Sequence, residues 1–145
     1  MKKILLAVLA AVAVISIGSQ AFAAAEAKTE APSTKIIVYY FHGSFRCYTC
    51  TNMEKYSREA VETNFKKELA SGKLDFKAVN VEDRDNEHFV DDYKLYTKSL
   101  ILSMVKDGKE IKSKNLDKIW QLARNKKKFI SYATGEVTAF LKDVQ

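Results

Sequence analysis

Six consecutive β-branched or aromatic residues, Ile36-Ile37-Val38-Tyr39-Tyr40-Phe41, follow Lys35 and constrain this chain more than any other stretch. Side chains of that kind favour extended backbone. A run of them with no polar alternation reads as a strand buried on both faces. Such a strand needs a neighbour on each edge and a cover on each face. It therefore predicts the middle of a sheet with helices packed on it. His42-Gly43-Ser44 ends the run. Hydrophobic residues make up 47% of the 145, with seven Tyr and eight Phe, which is enough for one core and excludes a disordered chain.

After Cys50 the period changes. Met53, Tyr56, Ala60, Val61, Phe65 and Leu69 recur at helical steps, with Glu54, Lys55, Arg58, Glu59, Lys66 and Lys67 on the other faces. Ser71-Gly72 closes that helix. Leu74, Phe76 and Ala78 alternate with Asp75 and Lys77 in a second strand that runs to Val81. Asp83 to Tyr96 is polar, then helical, with Phe89, Val90, Tyr93 and Tyr96 as the expected inward face. Ser99 to Val105 is a third strand, and Asp107-Gly108 is a strong hairpin signal leading to a short strand near Glu110-Ile111. The remainder, Leu116 to Val144, reads as helical, with Trp120 in the core. The order β-α-β-α-β-β-α predicts one α/β domain with a mixed central sheet flanked by helices, over residues 35–145.

The N-terminus reads as a secretory signal. Lys2 and Lys3 precede an apolar run from Ile4 to Ile17, and Ala21-Phe22-Ala23 offers small residues at both positions a signal peptidase reads. The run is shorter than the ~20 residues of a membrane span, so cleavage after Ala23 is expected and no stable membrane insertion afterwards. Residues 24–34, rich in Ala, Glu, Lys and Thr and carrying the single Pro, form a flexible leader. Loss of Lys2 and Lys3 leaves 22 basic against 18 acidic residues, a net +4, so the +6 of the whole chain does not require a nucleic-acid partner. The expected localisation is periplasmic or secreted.

Chemistry concentrates in Arg46-Cys47-Tyr48-Thr49-Cys50. A C-x-x-C that follows a buried strand and opens a helix puts its first sulfur near unpaired backbone N–H groups and the positive end of the helix dipole. That environment favours the thiolate, the form that attacks a disulfide. Cys47 is expected to be the exposed, acidic sulfur, with Arg46 adding positive charge, and Cys50 the buried sulfur that resolves a mixed disulfide. As a staple the pair would close a tiny loop, stabilising by only about 2 kcal/mol on the chain-entropy model. As metal ligands, two thiolates leave a tetrahedral site half filled. The three readings use the same two sulfurs.

The order of elements and the position of the dithiol resemble the thioredoxin-like superfamily. More narrowly, Tyr39-Tyr40-Phe41-His42, Arg46 to Cys50, Asn80-Val81-Glu82, Tyr96 to Leu100 and Leu116 to Trp120 resemble an exported bacterial family, the nitrophenyl compound nitroreductase subunits of ArsF type. The resemblance implies a three-layer thioredoxin-like fold, a redox-active Cys47–Cys50 pair and no bound cofactor. The chain departs from thioredoxins in three ways. Lys98 stands where they carry a cis-Pro before the third strand, so a trans peptide is expected there. Tyr39 falls near the place of their buried acid. Arg46 replaces the Trp before the first Cys. A partner-specific oxidoreductase fits these departures better than a general reductase.

Other candidates weigh less. His42, at the strand end, could accept a proton or supply a third metal bond, although a solvent-facing His is commoner there. Lys98 is expected to approach the Cys47 side of the site, where its ammonium would favour the thiolate. His88 reads as a surface residue, and Lys126-Lys127-Lys128 as a solvated helix face. Glu82, Asp83, Asp85 and Glu87 lack the spacing of a calcium loop. Two functions follow: a thiol–disulfide oxidoreductase or electron carrier whose partner is a periplasmic or membrane redox protein, or a soft-metal or metalloid module holding Cu(I), arsenite or zinc on the same thiolates.

Overall fold

A computed structural model describes residues 34–144. The segment 1–23 expected to be a signal, and all of the expected leader before Thr34, lie outside the described residues. The elements are β1 Thr34–His42, α1 Tyr48–Asn64, α2 Lys66–Ala70, β2 Leu74–Asn80, α3 His88–Asp92, β3 Ser99–Lys106, β4 Lys109–Asn115, α4 Ile119–Leu122 and α5 Lys126–Lys142. The four strands form one sheet in the order β2-β1-β3-β4. β1 runs parallel to β2, with Tyr40 opposite Ala78, and antiparallel to β3, with Tyr40 opposite Leu100. β1 is thus paired on both edges, as its sequence required.

Alternation along β1 divides the core. Ile36, Val38 and Tyr40 are buried with Met53 and Val61 of α1, Leu100 and Leu102 of β3, and Phe129 and Phe140 of α5 in one main cluster. Tyr39 and Phe41 point to the other face, where Phe89 and Tyr93 meet them at ring-centroid distances of 5.1 to 6.2 Å. The Tyr93 hydroxyl and the Ser103 hydroxyl both donate to Glu110 and tie that aromatic group to β3 and β4. α5 presents Phe129, Ala133, Val137 and Phe140 as a buried stripe at helical spacing.

Four local features differ from the sequence reading. The helix expected to run to Leu69 breaks at Phe65, which leaves helical backbone at φ −127°, ψ 39° and buries its ring in the main core. The C-terminal helix likewise breaks at Asn125, whose side chain caps α5 by accepting from the Lys128 N–H at 3.0 Å. α3 spans only His88–Asp92, and Lys94 follows at φ 52°, so the inward stripe stops at Tyr93: Val90 is exposed and Tyr96 is 93% exposed. Trp120, expected in the core, is 41% exposed and donates its indole N–H to the Lys98 carbonyl at 3.0 Å.

The hairpin forms at Asp107-Gly108, both at positive φ (50° and 79°), the conformation that an Asp-Gly turn supplies. β4 extends beyond Ile111 to Asn115 although every residue in it is exposed. As an edge strand it carries lysines, and Lys112 pairs with Asp143 at 2.7 Å across to the region after α5. Phe129 sits at the centre of the main cluster with no exposure. Replacing it by Ala is expected to cost about 3–5 kcal/mol in urea unfolding. Phe45→Ala, at a side chain 76% exposed, should stay within about 0.5 kcal/mol. Equal losses at the two positions would contradict this placement of the core.

Candidate functional site

The end of β1 delivers the chain directly to the dithiol. His42 is the last strand residue, and Cys47 is the N-cap of α1, with extended backbone at φ −74°, ψ 159°. Its Sγ accepts from the Cys50 N–H at 3.1 Å, so the first sulfur sits among the unpaired N–H groups of the helix start. Cys47 and Cys50 are joined in a disulfide with Cα atoms 5.0 Å apart. Cys47 is half-buried, while Cys50 is only 3% exposed and reaches into the core. Of the two residues, Cys47 is the more accessible and Cys50 the buried one.

Three groups fix the turn. From β1, the buried Tyr40 hydroxyl donates to the Cys50 carbonyl at 2.7 Å. Burial pushes that hydroxyl well above the ordinary tyrosine range, so it stays a proton donor at any working pH. Tyr40, not Tyr39, is therefore the β1 residue on the dithiol side; Tyr39 belongs to the opposite aromatic face. From the segment after β2 the Glu82 carboxylate accepts from the Ser44 N–H at 3.1 Å, and from the end of β2 the Asn80 amide donates to the Ser44 hydroxyl at 3.1 Å. A Cβ on Gly43 would require that carboxylate to shift. From α1, Glu54 takes the Arg46 guanidinium.

Arg46 also reaches back to β1, donating from one nitrogen to His42 Nε2 at 3.2 Å. His42 turns its other ring nitrogen to the Gly43 carbonyl at 3.0 Å. His42 and Arg46 are thus brought together at the dithiol, with the Nε2 lone pair engaged by the guanidinium. Lys98 lines a cleft of about 180 Å³ with His42, Gly43, Glu82, Tyr96 and Thr97. Every described peptide bond is trans, the one before Lys98 included. No group of three or more His, Cys, Asp and Glu side chains among the described residues is arranged to hold a metal ion.

Glu54 and Tyr40 are functional neighbours that reading the sequence did not single out. Both had a signal. Glu54 lies four residues past Cys50, on the same face of α1, and Tyr40 shares the parity of Ile36 and Val38 in β1.

Comparison with protein-family models and with curated proteins returns no match. Among solved structures, Trxlp of Edwardsiella tarda is similar at 14% identity over 59% of this chain and 74% of that one, with a TM-score of 0.37. The thioredoxin of Fasciola hepatica is similar at 24% identity over 62% of this chain and 79% of that one, again with a TM-score of 0.37. The assignment of fold stands on the sheet itself: β1 parallel to β2, β3 and β4 antiparallel, and the dithiol at the start of the helix that follows β1. The fold is thioredoxin-like.

The clamp on the loop of this thioredoxin-like domain is pH-dependent through Glu82. Hydrogen bonding from Ser44, by its hydroxyl and then its backbone N–H, holds the Glu82 carboxyl below its ordinary value of 4.5, with Lys98 and His42 acting in the same direction. A carboxyl depressed in the folded state contributes stability fully above its unfolded value and loses it as the pH falls through the folded one. Glu82→Gln should therefore flatten the acid limb of the stability–pH curve below about pH 4.5 and leave its shape above neutrality unchanged. An identical acid limb in the variant would contradict the clamp.

Proposed function

We propose that this protein is an exported thiol–disulfide oxidoreductase or electron carrier acting through Cys47 and Cys50. The observation that carries the reading is the disulfide at the mouth of α1, with one sulfur half-buried and the other 3% exposed. In the reductive direction, the Cys47 thiolate attacks a partner disulfide. The Cys47–partner S–S bond forms, the partner's own S–S bond breaks, and one partner sulfur leaves as thiolate. Cys50, deprotonated, then attacks Cys47, closing the internal disulfide and releasing the second partner thiolate. Two electrons pass to the partner, and the reverse sequence oxidises it.

The partner is a periplasmic or membrane redox protein, and export rests on the signal-like segment 1–23. The finer kinship is with the ArsF-type nitrophenyl compound nitroreductase subunits, on the stretches quoted from the sequence. The trans peptide before Lys98 supports a dedicated partner over general reductase activity.

The test equilibrates purified mature protein with glutathione buffers of graded ratio, and separately titrates it with Cu(I) and Zn(II) against a competing chelator. The expected result is a reversible two-electron couple in metal-free protein, with the metals lost to the chelator. Thiols that never reoxidise reversibly, yet hold one metal against the chelator, would replace this reading with the soft-metal or metalloid module.

A further inference from the structure

Two opposite charges lie beside the dithiol, and their pairing is unlike the other ion pairs of the described residues. Arg46 immediately precedes Cys47, and Glu54 stands four residues past Cys50 and seven past Cys47, on the helix face that carries both sulfurs. The guanidinium and carboxylate are in direct contact, with side chains 32% and 19% exposed. Water therefore screens them less than a rim pair. Glu54 is further approached by Arg58 at 3.7 Å, one turn on. Both charges are felt at the Tyr40 hydroxyl, Arg46 in one direction and Glu54 in the other, and that hydroxyl is 2.7 Å from the Cys50 carbonyl. The pair thus sits beside the turn whose sulfurs change charge during exchange.

We propose that Glu54 is a positioning residue that sets the acidity of Cys47 by holding and neutralising Arg46. This rests on the oxidoreductase reading above and deepens it. An unpaired Arg46 would stabilise the Cys47 thiolate, and an unpaired Glu54 would oppose it. Joined, the two nearly cancel, and the helix start is left to set the thiol. The guanidinium's second contact, to His42 Nε2 at 3.2 Å, keeps it from swinging fully onto the sulfur. A more acidic Cys47 stabilises the reduced form and makes the disulfide the stronger oxidant. The ion pair thereby restrains the oxidising strength that a C-x-x-C with a neighbouring arginine would otherwise have.

The charged and titratable groups around the turn are few. β1 contributes Tyr40 and His42, α1 contributes Glu54 and Arg58, and the cleft beyond His42 holds Glu82 and Lys98. The experiment measures the Cys47 pKa from the pH profile of alkylation of the reduced full-length mature protein, in wild type, Glu54→Gln, Arg46→Gln and the double variant. Glu54→Gln should lower the pKa by about one unit, Arg46→Gln should raise it by about one unit, and the double variant should return near wild type. Glu54→Asp, which keeps the charge, should restore most of the wild-type value. A merely structural contact would move both single variants the same way, through a loosened loop, or move neither; either result overturns the proposal. If Glu54→Gln does not fold, Arg46→Gln alone decides, because a Glu54 without its partner must make Cys47 less acidic. The pKa is read whether or not the disulfide couple proves reversible. A failed glutathione titration therefore counts against the oxidoreductase reading, while a failed cycle counts against Glu54.

Discussion

The burial of β1 on both faces and its pairing on both edges is the constraint from which the rest of the structure follows. Hydrogen-bonded to β2 on one side and β3 on the other, β1 cannot shift by one residue without turning Tyr40 out of the main core and Tyr39 into it. That fixed register sets the height of His42 and therefore the start of the loop that carries the dithiol. It also puts the Tyr40 hydroxyl under the Cys50 carbonyl, so the first turn of α1 is anchored to a central, doubly paired strand of the sheet.

The loop between β1 and α1 is then held from three directions. Tyr40 holds its far end at Cys50, Asn80 and Glu82 hold Ser44, and Arg46 bridges His42 to Glu54. A loop pinned this way holds Cys47 at the helix mouth. Phe45 and Tyr48, close to Cys47 in the chain, are both largely exposed.

Much of this was legible in the sequence because it is local. The β1 run, the helical period after Cys50, the Asp107-Gly108 turn and the C-x-x-C each follow from the conformational preferences of adjacent residues. What was not legible depends on packing between distant segments. The break at Phe65 appears only because a core pocket takes its ring, and the exposure of Trp120 only because the Lys98 carbonyl offers its indole a partner. The expectation for Tyr96 failed because Lys94 adopts a positive φ and ends the short helix early, which periodicity does not register. That Tyr40 rather than Tyr39 faces the dithiol is a matter of strand parity, which Tyr40 shares with Ile36 and Val38. Glu54 was read as a solvated helix position, since its partner Arg46 lies on a loop whose path the sequence does not reveal.

The central claim is the division of labour between the two sulfurs: Cys47 reacts with the outside, and Cys50 reacts only with Cys47. It is tested most directly by exposing Cys50→Ser and Cys47→Ser variants of the mature protein to oxidised glutathione and following adduct formation by mass spectrometry. The account predicts that Cys50→Ser accumulates a stable mixed disulfide on Cys47, reversed by dithiothreitol, while Cys47→Ser remains largely unmodified over the same time. Equal rates in the two variants, or a faster adduct on Cys50, would contradict it.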